Sequence, residues 1–178
     1  MYQLRGKLSI VMPAYNEEAL IYNSIMQTLS IVEQFAPDLE IIAVNDGSKD
    51  KTKQEIERAI RDDAKQPHPV VPGMRVSGTR IKLVTSNKNR GKGNAIISGI
   101  SQAEGDYIAF VDADLELNPA QLEGYLKKMQ ESGSDVVIGC KFHKDSELHY
   151  PFVRKVISLG YLSLIHISEP TRLRRISY

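Results

Sequence analysis

Tyr107-Ile108-Ala109-Phe110-Val111-Asp112-Ala113-Asp114 decides how this chain is read: five apolar residues run directly into two carboxylates set one residue apart. An uninterrupted apolar run of this length predicts a strand of a parallel sheet, covered on both faces. Ligands of such sheets sit beyond the carboxyl ends of the strands. Carboxylates spaced i, i+2 at that place can hold a divalent cation against a substrate phosphate, because hard cations take oxygen ligands. An isolated D-x-D is more often a solvated turn at a strand end, so the reading depends on its company.

Outward from that run, strands and helices alternate. Lys7–Met12 predicts a first strand stopped by Pro13, which cannot donate to a ladder. Asn16-Glu17-Glu18 predicts a helix start with acidic residues in its first turn, followed by Leu20, Ile21, Ile25, Leu29 and Val32 at helical spacing. Glu40–Asn45 predicts the second strand, Asp46-Gly47-Ser48 a turn, and Lys51–Arg61 a helix capped by Asp50 or Thr52. The stretch 62–79, with Pro67, Pro69, Pro72, Gly73 and Gly78, predicts a long surface loop. Arg80–Thr85 and Tyr107–Val111 predict the third and fourth strands, with a helix over Asn94–Gln102 between them. Pro119 starts a helix that runs to Glu131 and ends at Gly133, and Asp135–Gly139 predicts a fifth strand. This order implies an α/β fold: an open, mostly parallel sheet, wound right-handedly, with helices on both faces.

Bulk properties exclude several classes. The chain has 178 residues, 42% hydrophobic and 25% charged, as expected of one globular domain with a real core. A formal net charge of +1 gives no argument for a nucleic-acid partner. With one cysteine, Cys140, no intrachain disulfide can form, which fits a reducing compartment. No stretch approaches the roughly 18 apolar residues of a membrane span, and the N-terminus enters a strand without a signal-peptide pattern.

Four short motifs follow strand ends and would line one rim of the sheet: Pro13-Ala14-Tyr15-Asn16-Glu17, Asn45-Asp46-Gly47-Ser48, Asn89-Arg90-Gly91-Lys92-Gly93-Asn94-Ala95 and Asp112-Ala113-Asp114. Tyr15 offers a face for stacking, and Glu17 and Asp46 offer acceptors for a base or ribose. Taken singly, these are equally a loop-anchoring aromatic, a helix-start charge and a turn residue. Gly91 and Gly93 permit close backbone approach, and Lys92 can reach a phosphate. A dehydrogenase-type domain would need G-x-G-x-x-G after the first strand, and a P-loop needs G-x-x-x-x-G-K-[ST]; neither is present.

In this order, over about residues 7–161, the motifs resemble the family 2 glycosyltransferases of GT-A (Rossmann-like) fold. The subgroup they look most like is that of the dolichyl- and polyprenyl-phosphate mannosyl- and glucosyltransferases. The resemblance implies that Pro13, Tyr15, Glu17, Val44, Asp46, Lys92, Asp112 and Ala113 contact the nucleotide sugar. It implies that Asp112 and Asp114, joined by Glu116, hold Mg²⁺ or Mn²⁺, with Asp114 the firmer ligand. Lys141 stands where relatives commonly carry Arg, and Arg154 in 146–154 is the candidate binder of an acceptor phosphate; these two cations complete the implied catalytic set with Asp112 and Asp114. Asn45 replaces the first Asp of the family's D-D pair, which leaves the preferred base open. His143 and His149 are read as surface histidines.

The implied reaction is inverting transfer of a hexose from a nucleotide diphosphate sugar (GDP-mannose or UDP-glucose type) to an acceptor, a polyprenyl phosphate first among them. The alternatives are transfer to a saccharide hydroxyl and a truncated, non-catalytic nucleotide-sugar-binding domain. Membrane contact would come through the acceptor or through segments after residue 161, placing the protein at the cytoplasmic face of a membrane.

The end of the chain resembles something else. Leu162–Arg172 looks like a translated sequencing-library adapter, with Leu173-Arg174-Arg175 as its index and Ile176-Ser177-Tyr178 as flow-cell sequence. The expectation is therefore an incomplete GT-A domain over 1–161, truncated at its C-terminus and inactive in transfer by itself, followed by a non-native tail over 162–178. That tail carries Arg172, Arg174 and Arg175 against Glu169. Without it, 20 basic residues face 21 acidic ones, and the formal charge becomes −1.

Overall fold

The computed structural model describes residues 2–67 and 79–139. The chain divides after Val137 into two compact units. The second lies outside the described residues apart from Ile138 and Gly139, so the fold below is that of the first.

Four strands, β1 (Leu8–Ala14), β2 (Leu39–Asp46), β3 (Ile81–Ser86) and β4 (Tyr107–Phe110), alternate with helices α1 (Ile21–Val32), α2 (Thr52–Asp63) and α3 (Lys92–Ile100); α4 (Gln121–Ser132) follows. The sheet is parallel throughout, in the order β3-β2-β1-β4. Its two central strands carry Leu8, Ile10, Met12, Leu39, Ile41 and Ala43 into one core with Ile21, Ile25, Leu29 and Val32 of α1, Ile56 of α2, and Leu122 and Leu126 of α4. Val11, Ile42 and Val44 turn to the opposite face and pack on Ala95 of α3. Helices thus cover both faces, as the near-continuous apolar runs of β1 and β2 require. On the α3 face the approach is close: a Cβ at Gly99 would stand 2.3 Å from Val11 Cγ1, so only glycine fits there.

The alternating pattern found the elements; three boundaries differ from it. β1 does not stop at Pro13 but runs through it to Ala14, pairing Pro13 with Val44. In β1 the odd-numbered residues turn their main-chain groups toward β4, where the Lys7 and Val11 carbonyls accept from Tyr107 and Val111 N–H. Pro13 shares that phase and lies past the last β4 pair, Val11–Phe110, so its missing N–H leaves no β2 bond unmade. The first helix starts at Ile21, not at Asn16. Glu17 and Glu18 sit in the preceding turn, with Glu17 N–H bonded to Thr52 Oγ1 at 2.8 Å and Glu18 N–H to Asp50 at 3.2 Å. Residues 135–139 form no strand. They have no ladder partner among the described residues, and Val136 and Ile138 are 74% and 75% exposed. The predicted loop over 62–79 begins with the last turn of α2, and 68–78 lie outside the described residues.

At the amino-terminal end of the sheet a buried carboxylate ties three strands together. Glu40 accepts from Ser9 Oγ at 2.6 Å and Glu104 N–H at 2.8 Å, and pairs with Lys7 at 3.1 Å and Lys82 at 2.9 Å. Burial alone would raise its pKa, but these donors outweigh burial and bring it down to about 2. A carboxyl held below its unfolded value stabilises the fold above that value and loses the contribution as pH falls toward the folded one. We therefore expect Glu40→Gln to lower stability at neutral pH by about 2–3 kcal/mol. Urea titrations should also show that the variant loses less stability than wild type between about pH 4.5 and 2, the window in which Glu40 takes up its proton.

Candidate functional site

The loops that leave the carboxyl ends of β1, β2, β3 and β4 enclose a cleft of about 360 Å³. It is lined by Pro13, Ala14, Tyr15, Glu17, Asp46, Asn89, Gly91, Lys92, Ala95 and Asp112–Asp114. Crossovers α1 and α2 lie on one face of the sheet and α3 on the other, so the winding reverses between β1 and β4, where open α/β sheets bind ligands.

Each wall has a local cause. The β1 loop turns at Asn16, whose φ of 57° is rare outside glycine and tolerated by Asn. Asn16 Oδ1 accepts Lys49 N–H at 2.9 Å and its own N–H reaches Ser48 Oγ at 3.0 Å, so the β1 and β2 loops brace each other. Tyr15 is left 40% exposed on the rim, available for stacking. Glu17 is half-buried beside it. Burial, then the charges of Asp114 and Asp50, push its carboxyl above the ordinary value.

Asp46 is only 3% exposed, and its carboxylate is already engaged. It accepts Arg90 N–H at 3.0 and 3.1 Å and Gly91 N–H at 2.9 Å, fastening the loop before α3. Gly47 makes this junction possible. At φ 69° it lies so near the loop that a Cβ would stand 2.4 Å from the Lys88 carbonyl carbon. Asn45, also buried, uses Oδ1 to accept Ser48 N–H at 3.1 Å and close the turn. Val44 lies fully buried beneath the cleft, against Val11 and Ala95, and does not line it.

Gly91, at φ 88°, precedes α3 and directs the first turn of that helix, with Lys92, toward the cleft. Lys92 Nζ stands 2.6 Å from Asp112 Oδ1. Asp112 and Asp114 are both exposed, while Ala113 between them is buried in the core and also borders the cleft. The turn closes with Leu115 N–H on the Asp112 carbonyl at 3.1 Å and Glu116 N–H on Asp114 Oδ1 at 3.1 Å, and Leu115 adopts φ 50°. Glu116 is exposed outside the cleft lining. Lys141 and Arg154, together with Cys140, His143 and His149, lie outside the described residues.

A cation fits this donor set. Glu17, Asp46, Asp112 and Asp114 line the cleft with Lys92 as the one basic residue of its lining, and the Asp114 charge adds to burial in raising the Glu17 carboxyl. Among the described residues no three His, Cys, Asp or Glu side chains form a ready cage. Two carboxylates with the remaining positions left to water and phosphate oxygens is how Mg²⁺ is commonly held.

Residues 9–175 match the family described as Glycosyl transferase family 2. The chain belongs to that family. Its GT-A-like sheet resembles that of a mannosyltransferase from Pyrobaculum calidifontis solved in complex with GDP-Man and Mn²⁺, at TM-score 0.57 and 22% identity over 71% of this chain and 33% of that one. It also resembles S. aureus TarS in complex with UDP-GlcNAc, at TM-score 0.53 and 22% identity over 78% and 38%. Among curated relatives, an undecaprenyl-phosphate 4-deoxy-4-formamido-L-arabinose transferase from Enterobacter sp. (strain 638) is 35% identical over 131 residues, 74% of this chain and 36% of that protein. A dolichol-phosphate mannosyltransferase from Pyrococcus furiosus is 29% identical over 167 residues, 92% and 42%. The family 2 chain thus spans about two fifths of the length of these relatives.

Of the residues singled out from sequence, the fold gathers Pro13, Tyr15, Glu17, Asp46, Lys92, Asp112, Ala113 and Asp114 around one cleft. The rim motifs contain Ala14, Ser48 and Ala95 without giving them a role of their own, Asp50 is read only as a helix cap, and sequence reasoning missed Ser24, because isolated small residues carry no spacing signal. Asp46→Asn should turn an amide toward N–H groups that need an acceptor. We expect faster hydrogen exchange at Arg90 and Gly91 by NMR, with a stability loss of about 1–3 kcal/mol.

Proposed function

We propose that the cleft binds the donor of an inverting glycosyltransferase, a nucleotide diphosphate hexose. Transfer in the whole protein would be to a polyprenyl phosphate. The observation that carries this reading is the meeting of Asp112 and Asp114 with Lys92 and the start of α3 across one cleft. There a diphosphate would find a cation site, a side-chain cation and unpaired helix N–H groups together. The relatives named for transfer involving undecaprenyl phosphate and dolichol phosphate support the acceptor class.

In this reading Tyr15 flanks the base and Glu17 accepts from base or ribose. Asp46 acts from behind, holding the 89–91 loop against the nucleotide. Asp112 and Asp114 would hold Mg²⁺ or Mn²⁺, which would supply Lewis-acid stabilisation of the leaving diphosphate. Lys92, beside Asp112 at the cleft, would pair with the diphosphate oxygens. An acceptor phosphate oxygen attacks the anomeric carbon as its bond to the diphosphate breaks. Because that oxygen is already anionic, no general base is required of the chain. Lys141 and Arg154 are proposed to offset the repulsion between the two phosphates, and Glu116 to support the cation from outside the cleft. No helix among the described residues is long and apolar enough to cross a membrane.

Calorimetric titration of the chain with GDP, UDP and their hexose conjugates, with and without Mn²⁺, tests the reading. Metal-dependent binding should appear with one base and weaken at least about tenfold in Asp114→Ala. Binding equally tight in that variant, or indifferent to metal, would sink the proposal. Lys92→Met separates the two functions of the lysine. We expect weaker binding of the diphosphate but Mn²⁺ affinity equal to or above wild type, because Asp112 loses a competing cation.

A further inference from the structure

Ser24 lies in the first turn of α1, only 5% exposed, and no cleft residue is near it in sequence. Its hydroxyl donates to the carbonyl of Ala113 at 2.5 Å and lies 3.0 Å from the Leu20 carbonyl, the back-bond usual for a helical serine. Ala113 is the middle residue of the D-x-D, and its side chain is buried in the core. A buried carbonyl needs a donor, and the sheet does not supply one here. The β4 ladder ends at Phe110, with Val111 N–H on the Val11 carbonyl as the last rung. The bonds from Leu115 N–H and Glu116 N–H close the turn upon itself without tying it to another element. The turn also contains Leu115 at φ 50°, a conformation that costs a non-glycine residue free energy and persists only where surroundings hold it.

We propose that Ser24 is a positioning residue for the D-x-D pair. Its bond to the Ala113 carbonyl sets the spacing and aim of Asp112 and Asp114, and through them the affinity of the donor site for its divalent cation. The inference rests on the donor-site reading above. A group that orients metal ligands from behind, without touching the metal, typically changes affinity by roughly 10–100-fold when removed. Ser24 would do so from α1, which packs in the same core as Ala113.

Thr28, one turn further along α1, provides the control. It is fully buried, and its hydroxyl has no hydrogen-bond partner among the described residues. The test is Mn²⁺ binding to the full chain, read from the electron paramagnetic resonance signal of free Mn²⁺. Wild type, Ser24→Ala, Ser24→Cys and Thr28→Val are compared, with thermal unfolding recorded for each. We expect Ser24→Ala to bind Mn²⁺ roughly tenfold more weakly. Ser24→Cys, nearly the same shape with a weak donor, should fall between it and wild type, and Thr28→Val should match wild type. If Ser24→Ala is not folded at the assay temperature, Ser24→Cys carries the comparison. Wild-type affinity in a folded Ser24 variant overturns the proposal, as does equal weakening in Thr28→Val, which would make the effect one of α1 packing. A wild type that binds no Mn²⁺ removes the donor-site reading and this inference with it; a wild type that binds while both Ser24 variants bind equally well removes only the inference.

Discussion

Strand β1 has hydrogen-bonded neighbours on both edges and helices on both faces, and the remaining placements follow from satisfying all four contacts at once. Leu8, Ile10 and Met12 must meet α1 and α4, while Val11 must meet α3 at a distance only Gly99 allows. Every residue from Leu8 to Met12 is fully buried, so a shift in register by one would carry a whole set of side chains to the wrong layer. The ladder to β4 lapses after Val11 while that to β2 continues through Pro13 to Ala14. The cleft therefore lies where one edge of the central strand has run out of partner and the other has not.

The acids of the chain divide into two kinds by what occupies their oxygens. Glu40, Asp46 and Asp63 are buried, and each is met by main-chain N–H groups or by paired cations. Asp63, for example, takes Arg80 N–H at 2.7 Å and the Arg80 guanidinium at 2.8 Å, joining the end of α2 to the start of β3. These carboxylates act as struts, since a buried charge is tolerated only with such company. Asp112 and Asp114 differ. They stand exposed at a strand end, one paired with an exposed lysine side chain and the other accepting a turn N–H. That contrast in occupancy, more than the motif itself, separates the acids that hold the fold from those available to a ligand.

Much of this was legible in the residues. Apolar runs of four to eight separated by helical spacing located the four strands and four helices of the described residues, and the D-x-D at a strand end pointed to the rim that carries the cleft. The errors have physical causes. Pro13 was read as a stop because a missing N–H matters only on the side where a ladder exists, and which side that is depends on tertiary phase. Glu17 and Glu18 look like helix-start acids, yet the N–H groups of their turn are claimed by Thr52 and Asp50 of another loop. Residues 135–139 have strand propensity, but propensity without a partner builds nothing. Asp46 lines the cleft as its motif suggests, and what spacing does not reveal is that its oxygens also hold the Arg90 and Gly91 main chain. Short polar residues acting across 30 to 90 positions of sequence leave no local trace.

Asp46 grips main-chain N–H groups alone, and this has a consequence for how the site can change over time. Asn89 Oδ1 accepts the same Gly91 N–H at 2.8 Å and so shares in the hold. The side chains of Lys88 and Arg90 take no part in it, and those two letters are free to drift, or to be rewritten by an engineer, without loosening the loop. Position 47 has no such latitude, since any side chain there would strike the Lys88 backbone. The rim of the cleft is thus built as a fixed bracket carrying an interchangeable face. New side-chain chemistry can be sampled at this rim at little risk to folding.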